Sequence, residues 1–126
     1  MLKEIIDNYE SFGDALITEV RYKSDYDYTG QPEGSTDLVE IKISCFNKNR
    51  DYERESIQII CNDIVHFNFK KYGGMVNQAL LKEDDGVFTL DFYPNLKSNS
   101  QSDGLVLQEN LSSECIIKCR LVEFKT

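Results

Sequence analysis

Apolar residues recur at two different periods along this chain. Leu2, Ile5, Ile6, Tyr9 and Phe12 fall at helical spacing, with Lys3, Glu4, Asp7, Asn8 and Glu10 elsewhere. Residues 2–12 are therefore expected to form a short amphipathic helix, with Gly13 as its C-terminal stop. After Gly13 the period changes to two. Residues 15–23 read as a strand with Leu16, Thr18, Val20 and Tyr22 on one face. Residues 38–46 alternate most clearly: Val39, Ile41, Ile43 and Cys45 point inward, and Glu40, Lys42 and Ser44 point outward.

The pattern continues with turns between strands. Gly30, Pro32 and Gly34 mark residues 24–37 as a loop, and residues 47–55 form a charged connector. Residues 56–61 form a strand, Asn62-Asp63 interrupts it, and residues 64–71 resume it. Gly73-Gly74 breaks the pattern, and residues 75–82 hold either one helical turn or a further strand. Asp84-Asp85-Gly86 is a hairpin-type turn. Residues 87–92 alternate again, with Phe88, Leu90 and Phe92 on one side and Asp91 outward. Residues 94–104 are polar and turn-rich, expected to be the most mobile segment. Residues 105–109 and 114–124 supply the last strands.

Six or seven short strands without intervening helices imply antiparallel pairing. The expected fold is α+β and mostly antiparallel β: one N-terminal helix with a six- or seven-stranded curved sheet or sandwich. The chain of 126 residues fits a single domain over 1–126.

Composition narrows the function classes. Lys+Arg number 14 against 22 Asp+Glu, a formal net charge of −8. Acidity of this size repels phosphate backbones and anionic membranes, so neither nucleic acid nor membrane is the expected partner. Lys48, Arg50 and Arg54, and Lys70-Lys71, are the nearest basic patches, and Asp51, Glu53, Glu55 and aromatics dilute them. The apolar runs are too short for a membrane-spanning helix. The start of the chain does not read as a signal peptide. Four irregularly spaced cysteines then read as free thiols in a reducing compartment, so the expected location is cytoplasmic.

The residues most often recruited for catalysis sit where strand packing would place them. Cys45 follows Val39, Ile41 and Ile43 on one face, and Cys61 follows Ile57 and Ile59. Cys115 and Cys119 interleave with Ile117 and Leu121. In a strand, Cys115 and Cys119 stand roughly 13 Å apart, and neither a CxxC pair nor a histidine tract accompanies them. No metal is expected. His66 is the only histidine, so a Ser-His-Asp or Cys-His device would have to use it. Asp63 is three residues away and points to the opposite face of a continuous strand. His66 shares a face with Ile64 and Asn68, opposite Val65, Phe67 and Phe69, and is expected on the outer face. Neither a GxSxG, a GxxxxGK nor a GxGxxG motif is present. No catalytic residue and no cofactor is expected.

Acidic loops offer the remaining chemistry. Asp25-Tyr26-Asp27-Tyr28-Thr29-Gly30 partly matches a calcium loop, with Asp25, Asp27 and Gly30 in place. The bidentate Glu at its twelfth position is missing, since Thr36 stands there. The same loop can present tyrosines beside carboxylates to an arginine-rich protein. Glu83, Asp84 and Asp85 are consecutive turn residues and read as solvated, not as a paired-carboxylate device. The candidate partner contacts are Asp25, Tyr26, Asp27 and Tyr28, with Tyr52 and Asp84.

Phe12-Gly13-Asp14-Ala15-Leu16-Ile17, the Val39–Cys45 strand, Ile57–Cys61 and Asp63–Phe69 together resemble a broad group of small bacterial proteins. In that group an F-x-D-A-x-I-like segment precedes successive antiparallel strands. Several of its members look like immunity proteins, which protect a cell by binding a toxin. The resemblance covers about half the chain, rests on strand pattern, and carries over no binding residue.

The expectation is a non-enzymatic protein-binding module, an immunity-type protein that masks a basic partner, acting as monomer or homodimer. Two alternatives stand beside it. One is a small-molecule or carbohydrate-binding β-domain, which requires a concave pocket lined by Phe and Tyr and holding at least two polar groups. The other is a structural homo-oligomer subunit that pairs through a sheet edge.

Overall fold

Alternation in the sequence becomes strand pairing in space. A computed structural model describes residues 2–24, 37–70, 75–98, 105–110 and 112–126. The strands are β1 (Ala15–Lys23), β2 (Leu38–Asn47), β3 (Glu53–Phe69), β4 (Met75–Val76), β5 (Leu80–Asp84), β6 (Val87–Asp91), β7 (Asn95–Ser98), β8 (Leu105–Gln108) and β9 (Cys115–Lys125). One helix, α1 (Leu2–Asn8), precedes them. Seven strands form one sheet in the order β4-β1-β2-β3-β9-β6-β5, and β7 pairs with β8 apart from it. All these pairings are antiparallel. The large sheet curls into a half-barrel, so the fold is the α+β, mostly antiparallel architecture that the alternation implies.

The concave face holds the core. Val39, Ile41, Ile43 and Cys45 of β2 are fully buried, as are Ile59 and Cys61 of β3 and Cys115, Ile117 and Cys119 of β9. Burying each large aliphatic or aromatic side chain contributes about 1.5–3 kcal/mol. The helix and the turn after it cover this face. Tyr9 stacks on Phe12 at 5.7 Å, and Phe12 packs on Phe92 at 6.4 Å. The convex face carries cross-strand charges instead. Lys42 Nζ lies 3.3 Å from Glu19 Oε2, and Arg21 Nη1 lies 3.9 Å from Glu40 Oε2. Such exposed pairs add little stability, but they keep this face in water and so hold the register.

Three departures from simple alternation shape the curl. Within β1, Ile17 pairs with Ile43 but Glu19 pairs with Lys42, so Thr18 is a bulge. Ile17, Val20 and Tyr22, not Leu16 and Thr18, therefore lie opposite the inward residues of β2. Leu16 is left exposed. The second departure lies at Asn62-Asp63, where β3 bends but does not break. Asp63 takes a left-handed φ of 55°, and Cys61 pairs with Val122 while Ile64 pairs with Cys119. Inward positions step by three on both strands, so Val122, not Leu121, enters the core. The third is an extra residue at Val65, after which Phe67 faces Ile117. Ile64 and Phe67 thus both pack on the core and Val65 is exposed. The bent end of β3 brings Phe67 against Tyr22 of β1, rings 6.1 Å apart and nearly parallel.

The helix is shorter than its apolar spacing suggests. It ends at Asn8, and Glu10, Ser11 and Phe12 follow with φ of 48°, 56° and 58° in a left-handed turn. Gly13 has an ordinary φ of −56° and is not the stop. Each non-glycine residue in this region costs about 1 kcal/mol. The turn is held because it drops Phe12 into the core, where it is fully buried. The hairpin-type turn expected at Asp84-Asp85-Gly86 is present. Asp85 and Gly86, with φ of 50° and 80°, make the two-residue link between Asp84 and Val87, a type I′ turn.

Residues 75–82 resolve as strand: β4 lies at the β1 edge and β5 at the β6 edge. Only Asn77, Gln78 and Ala79 separate them, so the chain itself spans the gap between the two edges of the half-barrel. The Ala79 N–H donates to Ser11 O at 2.7 Å, which fixes this bridge to the left-handed turn. The polar segment 94–104 is not all loop, since β7 occupies Asn95–Ser98 and pairs with β8.

Candidate functional site

Helix α1 lies between two hairpin ends. It packs on β5 and on the 3-10 turn Lys48–Arg50 that joins β2 to β3. Asp51 and Tyr52 follow that turn with left-handed φ of 54° and 59°, and the Tyr52 N–H donates to Asn47 O at 2.9 Å. This backbone turns the Tyr52 ring outward, where it is 53% exposed. Its hydroxyl donates to Glu10 Oε1 at 2.9 Å, and this bond to a carboxylate raises the Tyr52 pKa. The ring is exposed yet held at its tip.

Carboxylates line α1 and the two segments it packs against. Residues 2–10, 48–53 and 80–85 contain eight acids and four bases, a net charge of −4. These short segments carry half the net charge of the chain. Glu4, Asp7, Glu10, Asp51, Glu53, Glu83, Asp84 and Asp85 are all exposed. Asp84, at the end of β5, pairs with Lys82 at 3.2 Å. Tyr52 and Asp84 thus sit on different hairpins, with α1 between them and without a direct contact. Asp25, Tyr26, Asp27 and Tyr28 lie outside the described residues.

A polar cluster anchors the surface from below. Tyr9 donates to Glu55 Oε1, and Asn47 Nδ2 donates to the same oxygen at 3.2 Å. Arg50 Nη1 stands 3.9 Å from Glu55 Oε2. Asn49 Nδ2 donates to Asn8 Oδ1 at 2.6 Å. These bonds join the helix end to the β2–β3 turn.

A second concavity lies between the β7–β8 pair and the sheet. Asn77, Gln78, Phe92, Tyr93, Pro94, Leu96 and Leu107 line an open groove of about 210 Å³. Asp91, next to Phe92 in the chain, anchors the segment beside this groove. It points to the convex side as its alternation implies, but it is fully buried, because the segment after β8 folds over it. Its Oδ1 accepts from Tyr93 N at 3.0 Å and its Oδ2 from Asn110 N at 2.8 Å. Both carboxylate oxygens are thus used in holding this segment.

The cysteines pack as core. All four are free and buried. Burial pushes the Cys45 and Cys115 thiols up to about 12. Cys61 donates to Cys119, which raises the Cys61 pKa and lowers that of Cys119. His66 is exposed on the convex face, and Asp63 pairs with Arg120 at 3.5 Å. Among the described residues, no group of three or more His, Cys, Asp or Glu is placed to hold a metal ion. No helix among them is long and apolar enough to cross a membrane.

The class defined by these observations is a small half-barrel of antiparallel strands with an acidic, tyrosine-bearing helix end. Neither a protein-family model, a curated protein nor a solved structure matches the chain. The geometry alone carries the functional reading.

Proposed function

We propose that this protein is a non-enzymatic binding module whose α1 end docks a basic protein, in the manner of an immunity-type protein that masks a toxin. The supporting observation is the Tyr52 ring, exposed and tethered to Glu10 of the segment that follows the acidic helix α1. Carboxylates steer a cationic partner and raise its on-rate. A pre-oriented tyrosine then supplies a contact whose ordering cost is already met. Glu4, Asp7, Glu10 and Asp84 complete the contact. Four core thiols suit a reducing, cytoplasmic setting.

Immobilised protein exposed to lysate of its source organism at low and high salt tests this reading. The expected result is a basic protein retained at low salt, released at high salt and lost with Tyr52→Ala. Capture that ignores both salt and Tyr52 would overturn it.

The groove beside Phe92 and Tyr93 favours a second reading, a small-ligand-binding β-domain. It has the aromatic lining and, in Asn77 and Gln78, the two polar groups such a site needs. Its volume of about 210 Å³ falls below the ~300–1,000 Å³ of most ligand pockets, which places it second.

A further inference from the structure

One row of side chains crosses four strands of the convex face. Lys82 of β5 pairs with Thr89 of β6, Thr89 with Lys118 of β9, and Lys118 with His66 of β3. Two lysines and the only histidine therefore share a line on a chain rich in acid. Above the row, Glu109 Oε1 lies 2.8 Å from Lys118 Nζ and 3.9 Å from Lys82 Nζ. Glu109 and Lys118 are largely covered, with side chains 18% and 31% exposed.

A cleft of about 290 Å³ opens beside this pair, lined by His66, Glu109, Asn110, Ile116 and Lys118. The groups in it are unequally occupied. Asn110 is spent on structure: its amide donates to Tyr93 O and its Oδ1 accepts from Ser112 N. Lys118 has three N–H donors and gives one to Glu109. Neither nitrogen of His66 has a hydrogen-bond partner among the described residues. Ile116, 3% exposed, supplies an apolar floor.

We propose that this cleft binds a small organic acid. Its carboxylate sits between the Lys118 ammonium and the His66 imidazole, and its apolar body rests on Ile116. Glu109 already shows what Lys118 accepts, a carboxylate at hydrogen-bond distance, and acts as a resident competitor for it. The site is separate from Tyr52 and does not depend on the protein-binding reading.

His66 is also the reporter, since a single histidine gives a single set of imidazole signals in proton NMR. Benzoate is titrated to about 10 mM, the weak end of small-ligand affinity, against the full-length protein. The expected result is a saturable shift of the His66 signals with benzoate and none with benzyl alcohol. Lys118→Gln is expected to weaken binding about tenfold, the loss of one charge-assisted hydrogen bond. Glu109→Gln is expected to tighten it severalfold by removing the competitor, an effect that a merely structural ion pair does not predict. Should Lys118→Gln fail to fold, Glu109→Gln decides. An equal response to benzyl alcohol, the absence of a saturable shift, or unchanged affinity in Glu109→Gln each overturns the proposal.

Discussion

The phenol of Tyr9 donates a hydrogen bond to the carboxylate of Glu55, joining residues 46 positions apart. This contact ties the end of α1 to the β2–β3 hairpin, and Tyr9 is buried there. Tyr9→Phe keeps the ring stack with Phe12 and removes only the donor. A hydrogen bond to a charged group is worth about 1.5–3 kcal/mol, and Asn47 still serves Glu55, so a loss of about 1.5 kcal/mol is expected. Urea unfolding should show a lower midpoint at unchanged slope.

The same tyrosine makes stability fall at high pH. Burial, then the hydrogen bond to Glu55, raises the Tyr9 pKa well above the usual tyrosine range. The unfolded chain loses its phenol proton near pH ~10 while the folded chain keeps it. The Tyr9 contribution to stability is therefore complete below that pH and is lost as pH rises above it. Denaturation midpoints measured from pH 8 to 11 should fall steeply at the top of the range. Tyr9→Phe should flatten that fall.

Asp91 bears the segment between β6 and β9. Asp91→Ala would remove the carboxylate acceptor from the part-buried amides of Tyr93 and Asn110, at about 1–3 kcal/mol each, for a total of about 3 kcal/mol. Asp91→Asn keeps one oxygen and should cost less. Hydrogen exchange at the Tyr93 and Asn110 amides should accelerate first. A uniform change in exchange across the sheet would contradict this local role.

Thiol chemistry should be silent in the native state. Cys45 and Cys115 stand near 12, and Cys61 and Cys119 are fully buried against each other. Ellman's reagent at pH 8 is expected to react slowly with native protein and with all four thiols after denaturation. Rapid native labelling of any one would show a looser sheet than described.

Gly86 sits at φ 80° with open space where a Cβ would stand. Gly86→Val should thus cost conformational strain alone, about 1–2 kcal/mol. Differential scanning calorimetry would read it as a drop in Tm of several degrees.

Strands and their inward faces were legible wherever alternation ran unbroken, as in Val39–Cys45 and Phe88–Phe92. The Asp85–Gly86 turn was legible because only certain residues tolerate its dihedrals. Bulges were not, since one extra residue at Thr18 or Val65 leaves no compositional trace yet reverses every face beyond it. The bend at Asp63 likewise exchanged Leu121 for Val122. The apolar spacing of Leu2–Phe12 fitted a helix, and only the core space for Phe12 dictates the left-handed turn. At the candidate site, Tyr52 and Asp84 were visible as exposed residues of turns. The tether to Glu10 was not, because it joins positions 42 apart. The Lys82–Lys118–His66 row was equally hidden, since strand order creates it.

The three-residue bridge from β4 to β5 carries a kinetic consequence. It can settle only after both margins of the sheet exist, one docked on β1 near the start of the chain and the other reaching β9 near its end through β6. Closure is therefore expected late on the folding path, after most of the ladder has formed. A substitution at Ala79 should then accelerate unfolding and leave the refolding rate nearly unchanged, so the seam acts as the latch on the lifetime of the folded state.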